Sequence, residues 1–163
     1  CPDGGDESDS DCVNGVICVT LPDSGTIDLT NDCGLFTGGG EGCTPGYWKQ
    51  PHHHDSWMGA GPGDDFNLTF IVDVEWGRKC RADENGDISL NQGLRCRGGG
   101  KNALARHGVA ALLNAMNTGV EFAYTAAEVK ALVKDALDSG TKEAATEAKN
   151  KLAEQNEMGC DLN

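Results

Sequence analysis

The N-terminal quarter of the chain lacks basic residues altogether. The 163-residue sequence has a net charge of −13, and all thirteen of its Lys and Arg residues lie at Lys49 or later. Nine acids precede that point without a balancing base: Asp3, Asp6, Glu7, Asp9, Asp11, Asp23, Asp28, Asp32 and Glu41. Such a segment repels nucleic acid and anionic lipid, so binding to DNA, RNA or a membrane surface is disfavoured, and divalent cations are its natural partners.

Long hydrophobic runs and catalytic motifs are also lacking. A membrane-spanning helix needs about 20 consecutive apolar residues, and the sequence contains no such run. It has no Gly-x-Ser-x-Gly motif and no carboxylate pair in a recognisable substrate setting. We therefore expect a soluble or surface-attached protein without membrane insertion, from which any signal peptide has been removed, and which is not an enzyme and uses no organic cofactor.

Cysteine is abundant, and its spacing indicates the compartment. The chain has eight cysteines but no Cys-x-x-Cys pair of the kind that zinc ribbons and redox motifs use. This pattern predicts disulfides in a secreted, extracellular cell-surface protein. The acceptor pattern Asn67-Leu68-Thr69 predicts a glycoprotein with a glycan at Asn67. A cysteine as first residue suits lipid modification and an ordinary cleavage site equally well.

The residues before position 43 predict an acidic β arm. Residues 1–12 are polar and should form a loop held by cysteines or cations. The β-branched run 13–21, a turn at 22–25 and the alternating run 26–30 predict a β-hairpin, which is too small to be stable alone. The glycines in 38–42 predict a hinge. We divide the chain into an acidic N-terminal β arm (1–37), the hinge (38–42) and a helical domain (43–163).

Three helices are predicted in the second half of the chain. Apolar residues repeat at intervals of three and four residues over 102–117, and Thr125 and Glu128 form a capping box that begins a second helix ending at Gly140. A third, Ala-rich helix covers 141–156, whereas 43–100 should be mostly loop with short helical or extended pieces. The predicted fold class is α-dominated (α+β): a small disulfide-stapled helical domain preceded by an acidic β-hairpin arm.

Two acidic segments are candidate calcium sites. Asp83, Asn85, Asp87 and Ser89 occupy positions 1, 3, 5 and 7 of an EF-hand-like loop, although Ile88 replaces the glycine of position 6 and Leu94 the glutamate of position 12. The alternative is a solvated turn. The second candidate is the group of arm acids: Asp3, Asp6, Glu7, Asp9 and Asp11.

The segment from His52 to Asp55 carries side chains that suit zinc or copper. Adjacent residues do not easily reach one ion, so a structural role beside the neighbouring aromatic residues is favoured. Tyr47, Trp48 and Trp57 could stack on a sugar ring, but we place all three in the core rather than on a sugar-stacking surface. His107 lies in an apolar helix and is interpreted as a core or surface histidine rather than a base.

Several motifs resemble a domain of secreted bacterial surface proteins of unassigned function. They are Gly42-Cys43-Thr44-Pro45-Gly46-Tyr47-Trp48-Lys49, ALARHGVAALLNAMN at 103–117, Tyr124-Thr125-x-x-Glu128-Val129, and the closing Asn156-Glu157-Met158-Gly159-Cys160. The resemblance covers about 42–163 and implies that Cys43, in the opening motif, pairs with Cys160, in the closing one. Cys80 and Cys96 flank one loop and are our second predicted pair. Cys1, Cys12, Cys18 and Cys33 then remain in the arm with three possible pairings.

Two functions of different kinds are consistent with these features. The first is a structural subunit of an extracellular filament or surface layer, in which copies of the chain join by adding strands of the N-terminal arm, with calcium as a stabilising ion. The second is a monomeric adhesion or glycan-binding module of a cell-surface protein. A zinc hydrolase using His52 or His54 is the third and least favoured alternative.

Overall fold

The computed structural model describes residues 12–13, 16–17 and 41–162, and the chain divides into two compact units, Cys1–Thr37 and Gly38–Asn163. In the first unit, β1 (Cys12–Val13) pairs antiparallel with β2 (Val16–Ile17). This pairing lies almost wholly inside 13–21, so the prediction that this run forms one strand is wrong. The sequence between the strands is Asn14-Gly15, the dipeptide that two-residue hairpin turns favour. The predicted turn at 22–25 and the run 26–30 lie outside the described residues.

The second unit is built from helices, which confirms the α-dominated fold class. Its α-helices are α1 (Pro45–Trp48), α2 (Phe66–Phe70), α3 (Leu90–Leu94), α4 (Lys101–Met116), α5 (Ala126–Asp138) and α6 (Lys142–Asn156). Two short 3₁₀ helices, Pro51–Ser56 and Arg78–Cys80, lie between α1 and α3. The three predicted helices are therefore present as α4, α5 and α6, each within two residues of its predicted ends.

Side-chain caps fix where several helices begin. Thr125 accepts a hydrogen bond from the backbone N–H of Glu128, whose carboxylate in turn accepts from the backbone N–H of Thr125, so the predicted capping box is present. Ser89 and Gln92 form the same arrangement at α3. This second box was not predicted, because α3 is only five residues long and has too few apolar positions to show a helical period.

Helix α4 is the centre of the core and packs against α5 and α6. Ten of its sixteen residues are buried, and they lie on every side of the helix rather than along one stripe. Gly108 allows the close approach of α5, because a Cβ atom there would lie 2.7 Å from Cγ2 of Val133. No helix within the described residues is both long and apolar enough to cross a bilayer.

Two disulfides staple the second unit. Cys43 pairs with Cys160 across 117 residues, and Cys80 pairs with Cys96 across 16 residues, which confirms both predicted pairings. The partners of Cys1, Cys12, Cys18 and Cys33 lie outside what the structure describes. The long-range disulfide joins the beginning of the helical unit to its end, and the short-range one closes the loop that precedes α4.

The two disulfides are expected to contribute unequally to stability. In the chain-entropy model, the Cys43–Cys160 bond closes a 117-residue loop and contributes about 5 kcal/mol to stability. The Cys80–Cys96 bond closes a 16-residue loop and contributes about 3 kcal/mol. The double variant Cys43→Ala/Cys160→Ala should therefore lower the free energy of unfolding more than Cys80→Ala/Cys96→Ala does. Urea denaturation followed by circular dichroism measures both. An equal loss in the two variants would contradict this ranking.

Candidate functional site

The two ends of the helical unit are held together by a group of buried and half-buried residues that we call the end clamp: Gly42, Cys43, Trp48, Asn114, Asn156 and Cys160. Next to the disulfide, the backbone N–H of Gly42 donates to the carbonyl of Gly159 at 2.5 Å, and the two residues form an isolated antiparallel bridge. A Cβ atom at position 42 would lie 2.0 Å from the carbonyl oxygen of Gln155. Glycine is therefore required for the two ends to approach this closely.

Asn114, in the last turn of α4, connects Cys43, Trp48 and Asn156. Its Oδ1 accepts from the backbone N–H of Cys43 and from the indole N–H of Trp48, both at 2.9 Å. Its Nδ2 donates to the carbonyl of Cys43 at 2.9 Å and to Oδ1 of Asn156 at 2.8 Å. Asn156 then donates to the carbonyl of His107 at 2.9 Å. The Asn114 amide thus makes four hydrogen bonds, and both asparagines are completely buried.

The aromatic residues of the opening motif belong to this structural region. Trp48 is fully buried, and Trp57 donates its indole N–H to the carbonyl of Trp48 at 3.3 Å. The hydroxyl of Tyr47 donates to the carbonyl of Leu162 at 3.1 Å. The prediction that these aromatic residues lie in the core is confirmed for Trp48 and Trp57, so neither can stack on a sugar ring, whereas Tyr47 is half-buried and packs against the core. The end clamp contains amides, an indole and a disulfide, which join chain ends and supply no acid or base.

The predicted EF-hand-like loop folds as a turn stabilised by Asp83. Oδ1 of Asp83 accepts hydrogen bonds from the backbone N–H groups of Asn85 at 2.9 Å and Asp87 at 3.0 Å. The hydroxyl of Ser89 caps α3. Two of the proposed ligand oxygens are therefore engaged by the loop itself. Among the described residues, no three His, Cys, Asp or Glu side chains lie together as a metal site. Calcium at this loop stays a prediction, and the acids of residues 3–11 lie outside the described part of the chain.

The histidine segment contacts aromatic side chains. The ring of His53 stacks on Tyr47 with a centroid distance of 3.8 Å, and His54 meets Trp57 edge to face at 5.4 Å. These contacts agree with the structural role that the sequence favoured for this segment. Its four residues do not form a metal-binding group in the described structure.

His107 lies on α4 beside the end clamp and is held in its neutral form. Burial, and then the positive charges of Arg106 and Lys149, lower the pKa of His107 to about 4. Its Nδ1 is buried and has no hydrogen-bond partner within the described residues. This agrees with the interpretation of His107 as a core or surface residue rather than a base.

Asn67, the predicted glycan acceptor, uses its side chain inside the fold. Its Nδ2 donates to the carbonyl of Val74 at 2.9 Å, and its Oδ1 accepts from the indole N–H of Trp76 at 3.1 Å. These two bonds close the loop that follows α2. Glycosylation at Asn67 stays a prediction, and a glycan attached to Nδ2 would have to share that nitrogen with the bond to Val74.

Sequence reasoning missed a cluster of cations that we call the arginine cavity. Its lining residues are Lys49, Arg81, Leu94, Arg95, Cys96, Arg97 and Arg106, and its volume is about 310 Å³. Five of these seven residues are basic and none is acidic. The available signal was positional: all five arginines of the chain lie between Arg78 and Arg106, in a protein that is acidic overall.

Comparison with known proteins identifies one family. Residues 69–160 match the family model described as the protodermal factor 1 C-terminal domain. This is a plant domain, so the bacterial family that the motifs suggested is wrong. The match begins after the opening motif and ends at Cys160, and it includes Asn114 and Asn156 of the end clamp. No curated protein and no solved structure matches the chain.

Replacing Asn114 should destabilise the helical unit strongly. The near-isosteric variant Asn114→Leu leaves the N–H and carbonyl of Cys43 and the indole N–H of Trp48 buried without partners. Each such group costs about 1–3 kcal/mol, so we expect a loss of at least about 3 kcal/mol in urea denaturation. Asn150→Leu on the exposed face of α6 is the matched control and should change stability by less than about 0.5 kcal/mol. Equal effects would contradict the role of Asn114.

The neutral state of His107 predicts a pH dependence of stability. The unfolded chain takes up a proton near pH 6.5, whereas the folded chain does so only near pH 4. The contribution of neutral His107 to the free energy of unfolding is therefore complete above pH 6.5 and is lost as the pH falls towards 4. Denaturation curves between these values should show a smaller loss of stability for His107→Gln than for the parent chain. Identical pH profiles would show that this histidine is not shielded from protonation.

Proposed function

Since the chain belongs to the family of the protodermal factor 1 C-terminal domain, we propose that its helical unit is a recurring, non-enzymatic module that serves as a structural subunit of an extracellular assembly. The observation that carries this proposal is the end clamp. The buried polar side chains of the clamp are used to join the two ends of the unit, and their bonds are satisfied within it. A group of side chains arranged in this way supports a role in holding structure rather than in chemistry.

The cysteines support a secreted location for this subunit. Both disulfides of the helical unit are internal and join segments of the folded chain, as is typical of small domains that work in oxidising compartments. Four further cysteines precede residue 40 in a segment that has no basic residue. Cysteines at these positions would allow a contact between copies to become covalent.

Copies of the chain would join through residues 1–37. β1 and β2 form an isolated two-stranded pairing, which is marginally stable in water, and segment 26–30 is rich in residues that favour strands. Adding such a strand to a neighbouring copy supplies main-chain hydrogen bonds, and a head-to-tail contact that does not close produces a filament. Calcium would favour this contact by neutralising the acids of residues 3–11.

A monomeric adhesion or glycan-binding module is the second candidate. The observation that favours it is the arginine cavity, because a group of cations without acidic neighbours in its lining suits an anionic ligand. The buried positions of Trp48 and Trp57 argue against binding by aromatic stacking. On this hypothesis the chain stays monomeric, and charge rather than stacking selects the ligand.

Light scattering after size-exclusion chromatography tests the assembly. The full chain should form species larger than a monomer in the presence of calcium, and a variant lacking residues 1–37 should be monomeric with the thermal stability of its helical unit unchanged. A monomeric full chain in calcium would overturn the proposal.

A charge variant separates strand addition from cation binding. It carries Asp3→Asn, Asp6→Asn, Glu7→Gln, Asp9→Asn and Asp11→Asn, which remove the proposed cation ligands but keep both β-rich segments. This variant should assemble without calcium if the acids only repel one another. Failure to assemble under any condition would show that the acids themselves make the contact.

A further inference from the structure

We propose that the arginine cavity binds the acidic groups of an extracellular polysaccharide, a sugar-borne carboxylate or sulfate ester being the group it recognises. This inference rests on the secreted location in the proposed function but not on self-assembly. The residues that line the cavity are Lys49, Arg81, Arg95, Arg97 and Arg106, together with Leu94 and Cys96. Planar guanidinium groups bind such oxyanions through paired N–H donors, which an ammonium group does not reproduce.

The Cys80–Cys96 disulfide brings the arginines together. Arg81 follows one cysteine directly, and Arg95 and Arg97 stand on either side of the other. The backbone N–H of Arg97 also donates to the carbonyl of Lys79 at 2.9 Å, so the two segments are joined next to the disulfide as well as by it. Arginines that lie far apart in the sequence are thereby placed on one cavity.

Two of the guanidinium groups are held in position by neutral oxygen atoms. Nε of Arg95 donates to Oδ1 of Asn91 at 3.1 Å, and its Nη2 donates to the carbonyl of Lys49. Nη1 of Arg106 donates to the carbonyls of Cys96 at 2.6 Å and Gly98 at 2.9 Å. Because these partners carry no charge, the side chains are oriented without being neutralised.

None of the basic side chains that line the cavity forms an ion pair in the described part of the chain. The ion pairs found there are Lys134 with Asp138 and Lys151 with Glu147, on α5 and α6. Partial burial lowers the pKa of Arg106, because desolvation disfavours its charged form. An unpaired, partly desolvated cation is stabilised when an anion binds beside it.

Size and net charge favour an acidic polysaccharide over a nucleic acid. A volume of about 310 Å³ is at the lower end of the range for ligand pockets, about 300–1,000 Å³, and suits one acidic sugar rather than a nucleotide with its base. The chain as a whole carries −13 and repels a polymer with a charge on every phosphate. A polysaccharide can carry one charge per sugar unit at a wider spacing.

Isothermal titration of the full chain tests the proposal. The probes are an oligomer of a uronic acid, the neutral oligosaccharide with the same linkage, a sulfated oligosaccharide, inorganic phosphate, single-stranded DNA, and a synthetic peptide of residues 1–12 of this chain. An acidic oligosaccharide should bind, the neutral one should not, and binding should weaken with added salt because of screening. The carboxylate and sulfate probes distinguish the two sources of the oxyanion.

Variants locate the site. Arg81→Gln/Arg97→Gln changes two exposed side chains of the cavity and should weaken binding at least about tenfold, the loss expected when one charge-assisted hydrogen bond disappears. The control Lys130→Gln/Lys142→Gln removes the same charge from α5 and α6 and should leave affinity within about twofold on the same scale. Arg97→Lys retains the charge and should still weaken binding, because it removes the planar group. Melting temperatures should be unchanged in all three.

Several outcomes would overturn the proposal. They are no binding of either acidic oligosaccharide, tighter binding of DNA, phosphate or the acidic peptide than of any oligosaccharide, and equal losses in the cavity and control variants. These outcomes are separable from a failure of the proposed assembly. If the chain forms filaments but does not bind acidic sugars, only the proposed binding site is overturned. If the chain is monomeric and binds acidic sugars, only the proposed assembly is overturned.

Discussion

The helical unit depends on the hydrogen bonds of one buried amide. Asn114 can satisfy two donors and two acceptors only because the first and last segments of the unit lie on either side of α4. Inside a protein, a polar group without a partner costs more than a satisfied one contributes, so this arrangement tolerates little displacement. Gly42, the Cys43–Cys160 disulfide and the burial of Trp48 all follow from bringing those segments to the same place.

The sequence was sufficient to predict features that depend on local rules. The apolar period of α4, α5 and α6 and the capping box at Thr125 specify helices without reference to the rest of the chain. The end clamp was visible only as motifs, because its two cysteines are separated by 117 residues and no periodicity connects its members. Asn114 resembled an ordinary polar residue at the end of a helix, since the donors and acceptors that it satisfies belong to other segments.

A short sequence pattern can be compatible with two different local structures. The composition of residues 13–21 favours a single strand. Val13 pairs with Val16, however, so the chain reverses direction between these two residues. The loop at Asp83 has the spacing of cation ligands, and the same spacing suits a turn in which Oδ1 of Asp83 accepts hydrogen bonds from the backbone N–H groups two and four residues later, so calcium binding there stays a prediction. The arginine cavity was missed for a different reason: its cations are adjacent only after the Cys80–Cys96 loop has closed.

The position of the Cys43–Cys160 bond has a mechanical consequence. A pulling force applied to the chain before residue 43 and after residue 160 would pass through the covalent bond between them and would bypass the helices. The 117-residue separation corresponds to about 400 Å of extended chain that tension cannot reach while the disulfide is intact. Under load, the unit would act as an inextensible link, and reduction of one bond would turn it into a long, compliant one.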